Sequence, residues 1–228
     1  TSCAIGSEVG KRYEYQSGAT ALLGFCLEAA TGMKINTYAS AKLWGPMGAT
    51  SDAFWHQDDA GNALTYCCFN ATARDYGRLG KLLLQHGRWN GRVLVDSTFL
   101  HTATTPVLEA YYGYSFWLGS VRAPEGALWE SDVPFIAYRG HLGQWIVAIP
   151  DRNMILVRTG HQEGSGDREN GLPSSFMQAV TEYVQRDFRR LPAAASSEAP
   201  RDALEEAPIV TGESDALPLP PAGDQSDL

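Results

Sequence analysis

No stretch of this 228-residue sequence approaches the roughly 18 consecutive apolar residues that a membrane-spanning helix requires. The first residues also show no charged segment followed by an apolar one, the pattern of a secretory signal peptide. We therefore expect no membrane span in this chain. Hydrophobic residues nevertheless make up 44% of the sequence and aromatic residues 11%, a composition that predicts a globular protein with a packed core.

Cysteine is scarce, and none of the four cysteines has the Cys-x-x-Cys spacing of a zinc site or a redox motif. Cys67 and Cys68 are neighbours, and we do not expect adjacent cysteines to bridge to each other. The sequence therefore predicts no disulfide framework, and packing is the expected role of both. The histidines have no metal-motif spacing either, so we predict no metal site and no cofactor.

Basic residues are nearly absent from residues 191–228, which contain eight acidic residues and one arginine, a net charge of −7. Because the whole chain has a formal net charge of −8, residues 1–190 carry only the remaining −1. The last segment has six prolines and no aromatic residue, so it cannot bury enough apolar surface to offset the entropy of ordering. We predict a folded body over residues 1–190, followed by a disordered acidic tail over 191–228. The body has no basic stripe, and no nucleic-acid partner is expected.

Three helices are predicted from apolar periodicity and end signals. The first covers Ser17–Thr31 and is followed by Gly32 as a stop, and we expect its apolar face to be buried. The second begins at Thr72, where a capping box opens, and ends at Gly87. The third runs over residues 173–190. The apolar face of the first helix consists of Leu22, Leu23, Cys26, Leu27 and Ala30.

Three segments rich in β-branched and aromatic residues, 133–139, 144–149 and 154–159, predict an antiparallel meander. Residues 150–153 supply turn chemistry between the last two strands, and Asn90-Gly91 predicts a separate tight turn. Strands followed by a helix that can cover them favour an α+β fold, with an antiparallel sheet flanked by helices. The first two helices would form a separate helical region.

Two short segments contain candidate functional residues. Tyr15-Gln16-Ser17 comes just before the first helix, where its side chains can face a cleft. The alternative for this triplet is a packing tyrosine followed by a serine that caps the helix. His141 lies between Gly140 and Gly143, which suggests a tight backbone or the close approach of a ligand. The alternative for His141 is an exposed residue in a hairpin connection.

In their order along the chain, these segments resemble the β-lactamase-related serine hydrolases, above all the branch of class C β-lactamases, esterases and 6-aminohexanoate-dimer hydrolases. The resemblance covers about residues 10 to 188. It implies a β-lactamase/transpeptidase-like fold and an acyl-transfer enzyme that acts on a small-molecule amide or ester. The matching segments are Tyr15-Gln16-Ser17 and residues 21–24, 30–32, 43–48, 70–80, 89–91 and 140–144.

The resemblance also assigns roles to individual residues. Tyr15-Gln16-Ser17 matches the family's second motif, which makes Tyr15 a catalytic general base and acid and Ser17 a substrate-binding residue. His141-Leu142-Gly143 matches the third motif in its histidine form, so that His141 would bind substrate or Tyr15, and Gly143 would leave room for substrate. The backbone N–H of Gln144 would supply half of the oxyanion hole.

The first motif of the family, Ser-x-x-Lys, does not occur in this sequence. The four lysines, Lys11, Lys34, Lys42 and Lys81, are preceded at three residues' distance by Glu8, Thr31, Ala39 and Arg78. We therefore expect residues 1–190 to be the C-terminal portion of a larger hydrolase domain, whose N-terminal part carries the nucleophilic serine and its lysine. The alternative is a catalytically inactive binding module. The resemblance favours a periplasmic or secreted location, and a cytoplasmic one stays open.

Overall fold

The computed structural model describes residue 8, residues 10–119 and residues 134–160. The predicted helix over residues 173–190 and the acidic tail over 191–228 lie outside the described residues. The helices are α1 (Ser17–Thr31), α2 (Ile35–Ala39), α3 (Ala73–Leu84) and α4 (Ser97–Ala103), and a π-helical segment, Ser40–Trp44, follows α2. The strands are β1 (Phe54–Trp55), β2 (Phe69–Asn70), β3 (Arg88–Trp89), β4 (Arg92–Val93), β5 (Trp117–Gly119), β6 (Phe135–Gly140), β7 (Gln144–Ile149) and β8 (Met154–Arg158).

The main sheet of the described chain has the strand order β5-β6-β7-β8, and each neighbouring pair is antiparallel. The predicted meander is therefore confirmed. A short 3-10 turn, Pro150–Arg152, connects β7 to β8, and Asn153 closes it with a left-handed backbone at φ 48°. Strand β5 was not predicted from the sequence, because three residues are too few for a recognisable alternation.

Helix α3 packs across β7 and β8, and its start is the predicted cap. The Thr72 hydroxyl accepts a hydrogen bond from the backbone N–H of Asp75 at 3.2 Å. Gly80 faces the sheet, where a Cβ atom would come within 2.6 Å of Ile155 Cγ2. This glycine allows the helix and the strands to approach closely. The helix ends at Leu84, three residues before the predicted end at Gly87.

Helix α1 has the predicted bounds, but its apolar face is not buried within the described part of the chain. Leu22 and Leu23 are 62% and 63% exposed, and Gly24 is the helix's one buried residue. Helical periodicity shows that an apolar face exists, whereas its burial depends on what the tertiary structure places against it. The alternative role for Ser17 is also wrong, because Gln16 takes the capping position and Ser17 is the first helical residue.

The structure contradicts the expectation for the adjacent cysteines, because Cys67 and Cys68 form a disulfide with each other. Cys68 is exposed rather than packed, and it has a left-handed backbone with φ 65°. This unusual conformation changes the relative direction of the two side chains, and the sequence alone does not reveal it. No helix in the described ranges is long and apolar enough to span a membrane.

Candidate active site

Tyr15 lies at the start of α1, with its ring held against the main sheet. Its ring centroid is 5.7 Å from that of Trp117 in β5, with an interplanar angle of 33°. Tyr112 contacts it edge-on at 6.2 Å. The side chain of Tyr15 is nevertheless 57% exposed, so it is both anchored by ring contacts and accessible to a ligand.

Tyr13 is inserted deeper into the same aromatic group. Its ring lies 4.9 Å from that of Tyr112 and 6.0 Å from that of Tyr111. The hydroxyl of Tyr13 is buried and has no hydrogen-bond partner among the described residues. Burial, reinforced by the neighbouring tyrosines, raises the pKa of Tyr13 well above its usual value. Tyr13 therefore stays neutral and fixes the segment that carries Tyr15.

Arg139 of β6 brings a positive charge to this face of the sheet. Its guanidinium carbon lies 4.9 Å from the ring centroid of Trp117 and 5.8 Å from that of Trp145. Burial lowers the pKa of Arg139, and the nearby Tyr15 and Tyr13 act in the opposite direction. Sequence reasoning missed this residue because it lies in an ordinary strand pattern, although it comes two residues before His141.

The third motif forms the connection between β6 and β7. Residues His141–Gly143 make one turn of 3-10 helix, in which Gly143 has φ 82°, a conformation that favours glycine. His141 is exposed at this turn. The carbonyl oxygen of Gly143 accepts a hydrogen bond from the Arg158 guanidinium of β8, which fixes the turn to the neighbouring strand.

Gln144 is the first residue of β7, and its side chain is already engaged. The backbone N–H of Gly160 donates to Gln144 Oε1 at 3.0 Å, and Gln144 Nε2 donates in return to the Gly160 carbonyl. This pair of bonds ties the start of β7 to the chain that follows β8. The side chain of Gln144 therefore has a structural role, separate from any role of its backbone N–H.

The second and third motifs are brought to one sheet. Trp117, on which Tyr15 lies, is paired with Ala137, and His141 follows Ala137 by four positions along the same chain direction. At about 3.3 Å per residue, Gly140, the last residue of β6, lies roughly 10 Å beyond the level of Trp117, and His141 follows it in the turn. In residues 10–119 and 134–160, no group of three or more His, Cys, Asp or Glu side chains is placed to hold a metal ion.

The family model described as β-lactamase matches residues 2–174 of the sequence. The chain belongs to the β-lactamase family. The resemblance that the sequence motifs indicated is therefore confirmed. No curated protein matches the chain.

Solved structures of β-lactamase fold confirm the α+β fold class. A protein described as a 6-aminohexanoate-dimer hydrolase, from Bacillus anthracis, is similar with a TM-score of 0.61 and 22% identity, over 82% of this chain and 47% of its own. A protein described as a β-lactamase, from Bacteroides dorei, has a TM-score of 0.58 and 20% identity, over 77% and 59%. A β-lactamase from Mycobacterium bovis has a TM-score of 0.58 and 18% identity, over 78% and 66%.

This chain therefore spans between about half and two thirds of the length of these β-lactamase-family structures. At identities below 25%, the likeness establishes the fold. Activity and substrate have to be argued from the residues of the site.

Proposed function

We propose that this chain contributes to a serine hydrolase that cleaves a small amide or ester through an acyl-enzyme intermediate. Family membership supports a serine hydrolase in general terms. The observation that carries the proposal is the position of Tyr15, which is exposed and lies against Trp117 of the sheet that also bears the His141-Leu142-Gly143 turn. Two of the three motifs expected for this chemistry are thus found on adjoining elements.

In this proposal the nucleophilic serine and its lysine come from a part of the protein upstream of this sequence. Serine is a weak nucleophile until a base removes its proton. Tyr15, together with that lysine, would take the proton and later return it to the leaving group. A carboxylate or metal is not needed for these two transfers.

The remaining predicted site residues would orient substrate and stabilise charge. His141 would donate or accept a hydrogen bond to substrate without imposing the permanent charge of a lysine. The backbone N–H of Gln144 would form half of the oxyanion hole. Ser17 and Gly143 would line the cleft, and Arg139 adds a cation close to Tyr15 that the sequence motifs did not include.

The test is the substitution Tyr15→Phe in the intact natural protein. Losing a general base and acid should lower kcat by a factor of about 10² or more, with an unchanged fold. The matched control is Tyr114→Phe, because Tyr114 is also exposed (51%) and belongs to none of the three motifs. A Tyr15→Phe enzyme with the same kcat as the control would assign Tyr15 to packing and overturn its proposed role.

A second candidate, a catalytically inactive binding module, is favoured by one observation, the absence of Ser-x-x-Lys from all 228 residues. The two candidates differ in what the coding sequence upstream contains. An in-frame Ser-x-x-Lys supports the hydrolase, and its absence supports the binding module.

Residues 1–228 alone should not hydrolyse p-nitrophenyl esters above a buffer control. Burst kinetics from this chain would place the nucleophile inside it and contradict the proposal.

A further inference from the structure

The Cys67–Cys68 disulfide lies in a partly exposed loop that precedes β2. Its second residue, Cys68, is exposed and has a left-handed backbone at φ 65°. For a residue with a Cβ atom this conformation is unfavourable. A disulfide at an exposed residue is open to attack by a thiolate, and a backbone held in an unfavourable conformation is free to relax when the bridge opens.

Hydrogen bonds connect the carbonyl groups of both cysteines to the surrounding chain. The indole N–H of Trp55 donates to the carbonyl oxygen of Cys67 at 2.8 Å. The backbone N–H of His56 donates to the carbonyl oxygen of Cys68 at 3.1 Å, and Asn70 Nδ2 donates to the same oxygen at 2.9 Å. A rotation of either peptide group would break or redirect these bonds.

The same loop contacts helix α1 through Thr65. The Thr65 hydroxyl donates to the carbonyl oxygen of Thr20 at 3.1 Å. Its side chain fills the space over Gly24, where a Cβ atom would come within 2.5 Å of Thr65 Oγ1. Gly24 is the buried residue of α1, so Thr65 packs against the least exposed position of the helix. Tyr15 and Ser17 stand at the start of the same helix.

We propose that the Cys67–Cys68 bridge is a reversible thiol–disulfide exchange site that controls how firmly α1 is held. The reductant is a dithiol, whose thiolate attacks the sulfur of exposed Cys68. The sulfur–sulfur bond breaks, and Cys67 leaves as a thiolate that takes up a proton. The second thiol of the reductant then displaces Cys68. Two protein thiols and one disulfide in the reductant result, so two electrons pass to the protein.

Opening the bridge allows Cys68 to leave the left-handed region, and the loop then loses the restraint that positions Thr65 against Gly24. The expected consequence is local. Backbone amides of α1 exchange with solvent faster, while those of α3 and of β7 and β8, which pack against one another elsewhere, keep their protection.

The experiment is amide hydrogen exchange on the intact protein with every cysteine other than Cys67 and Cys68, Cys3 and Cys26 among them, replaced by serine, so that only the adjacent pair can react. Dithiothreitol is the reductant, and alkylation followed by mass measurement counts the free thiols. We expect none before reduction and two afterwards. We also expect peptides from residues 17–31 to exchange at least about threefold faster after reduction, with α3 unchanged.

Two further variants separate the bridge from other effects of the reductant. With Cys67→Ser and Cys68→Ser added, exchange in residues 17–31 should no longer respond to dithiothreitol. Thr65→Ala should also abolish most of the response, because it removes the contact with α1. The proposal is overturned if both cysteines alkylate without reductant, if α1 exchanges equally in both states, or if α3 loses protection together with α1. Hydrolytic activity is not measured, so failure here is distinguishable from failure of the proposed hydrolase function.

Discussion

Asp75, in the first turn of α3, is a fully buried carboxylate, and its replacement by asparagine tests how α3 is joined to residues 47–50. The carboxylate accepts hydrogen bonds from the Thr50 backbone N–H at 3.0 Å, the Thr72 hydroxyl at 2.9 Å and Arg78 Nε at 2.9 Å. Arg78 also donates to the carbonyl oxygen of Met47 at 3.2 Å. Asp75 therefore links residues 47–50 to the first turn of α3.

Asp75→Asn keeps the shape of the side chain, but it removes the charge that compensates Arg78. Breaking a buried ion pair by removing one partner costs about 3–5 kcal/mol. The Arg78 side chain is 20% exposed and keeps its bond to Met47, so water offsets part of the loss. We expect the free energy of unfolding to fall by about 3 kcal/mol, the low end of that range.

The effect of Asp75→Asn on the free energy of unfolding should depend on pH, with a defined sign. Burial by itself would raise the pKa of Asp75, but the hydrogen bonds from Thr50, Arg78 and Thr72 outweigh it and hold the pKa below the usual value. A lowered folded-state pKa contributes stability above the unfolded-state pKa of about 3.9, and that stability is lost as the pH falls through the folded-state value. The difference between wild type and Asp75→Asn should therefore shrink in acid.

The measurement is urea unfolding of the intact protein, followed by tryptophan fluorescence, at neutral and acidic pH. Asp59→Asn is the matched control, because Asp59 is exposed in a surface turn. The control should lie within about 0.5 kcal/mol of wild type. An Asp75→Asn protein equally close to wild type would refute the argument that this carboxylate joins the two segments.

Gly80→Ala should destabilise the protein by about 1–3 kcal/mol in the same urea assay, since the added Cβ would meet Ile155 Cγ2 at 2.6 Å. Gly77→Ala is its control on the same helix: the nearest atom there is 3.8 Å away, so the variant should be neutral or stabilised, and equal effects would contradict the packing argument. Limited proteolysis should remove residues after about Leu191 without changing the Tm of the body, and a tail as resistant as the body would contradict its predicted disorder.

Several elements could be predicted from the sequence because their causes are local. The capping threonine and the following carboxylate mark the start of α3, and Asn90-Gly91 forms the tight turn between β3 and β4, with both residues at positive φ. The meander β6-β7-β8 follows from apolar segments separated by turn residues. In each case the determining interactions lie within a few residues of one another.

The order of the motifs along the chain also identified the family from the sequence alone. Tyr15-Gln16-Ser17 and His141-Leu142-Gly143 are separated by more than a hundred residues, yet their order along the chain, together with residues 70–80 and 89–91 between them, was sufficient for recognition. The roles assigned to these residues are proposals, because in the family they depend on a Ser-x-x-Lys motif, which does not occur in this sequence.

Only the tertiary structure decided how distant segments meet. The sequence by itself determined that α1 is amphipathic, but the structure shows Leu22 and Leu23 exposed and Gly24 packed against Thr65. The sequence determined that Cys67 and Cys68 are adjacent. The structure shows that they form a disulfide, with Cys68 in a left-handed backbone conformation. In the sequence Arg139 is only one residue of a predicted strand. The structure places its guanidinium over the ring of Trp117, which also contacts Tyr15. Local chemistry sets helices, turns and strands, while burial and site composition depend on contacts between residues far apart in the chain.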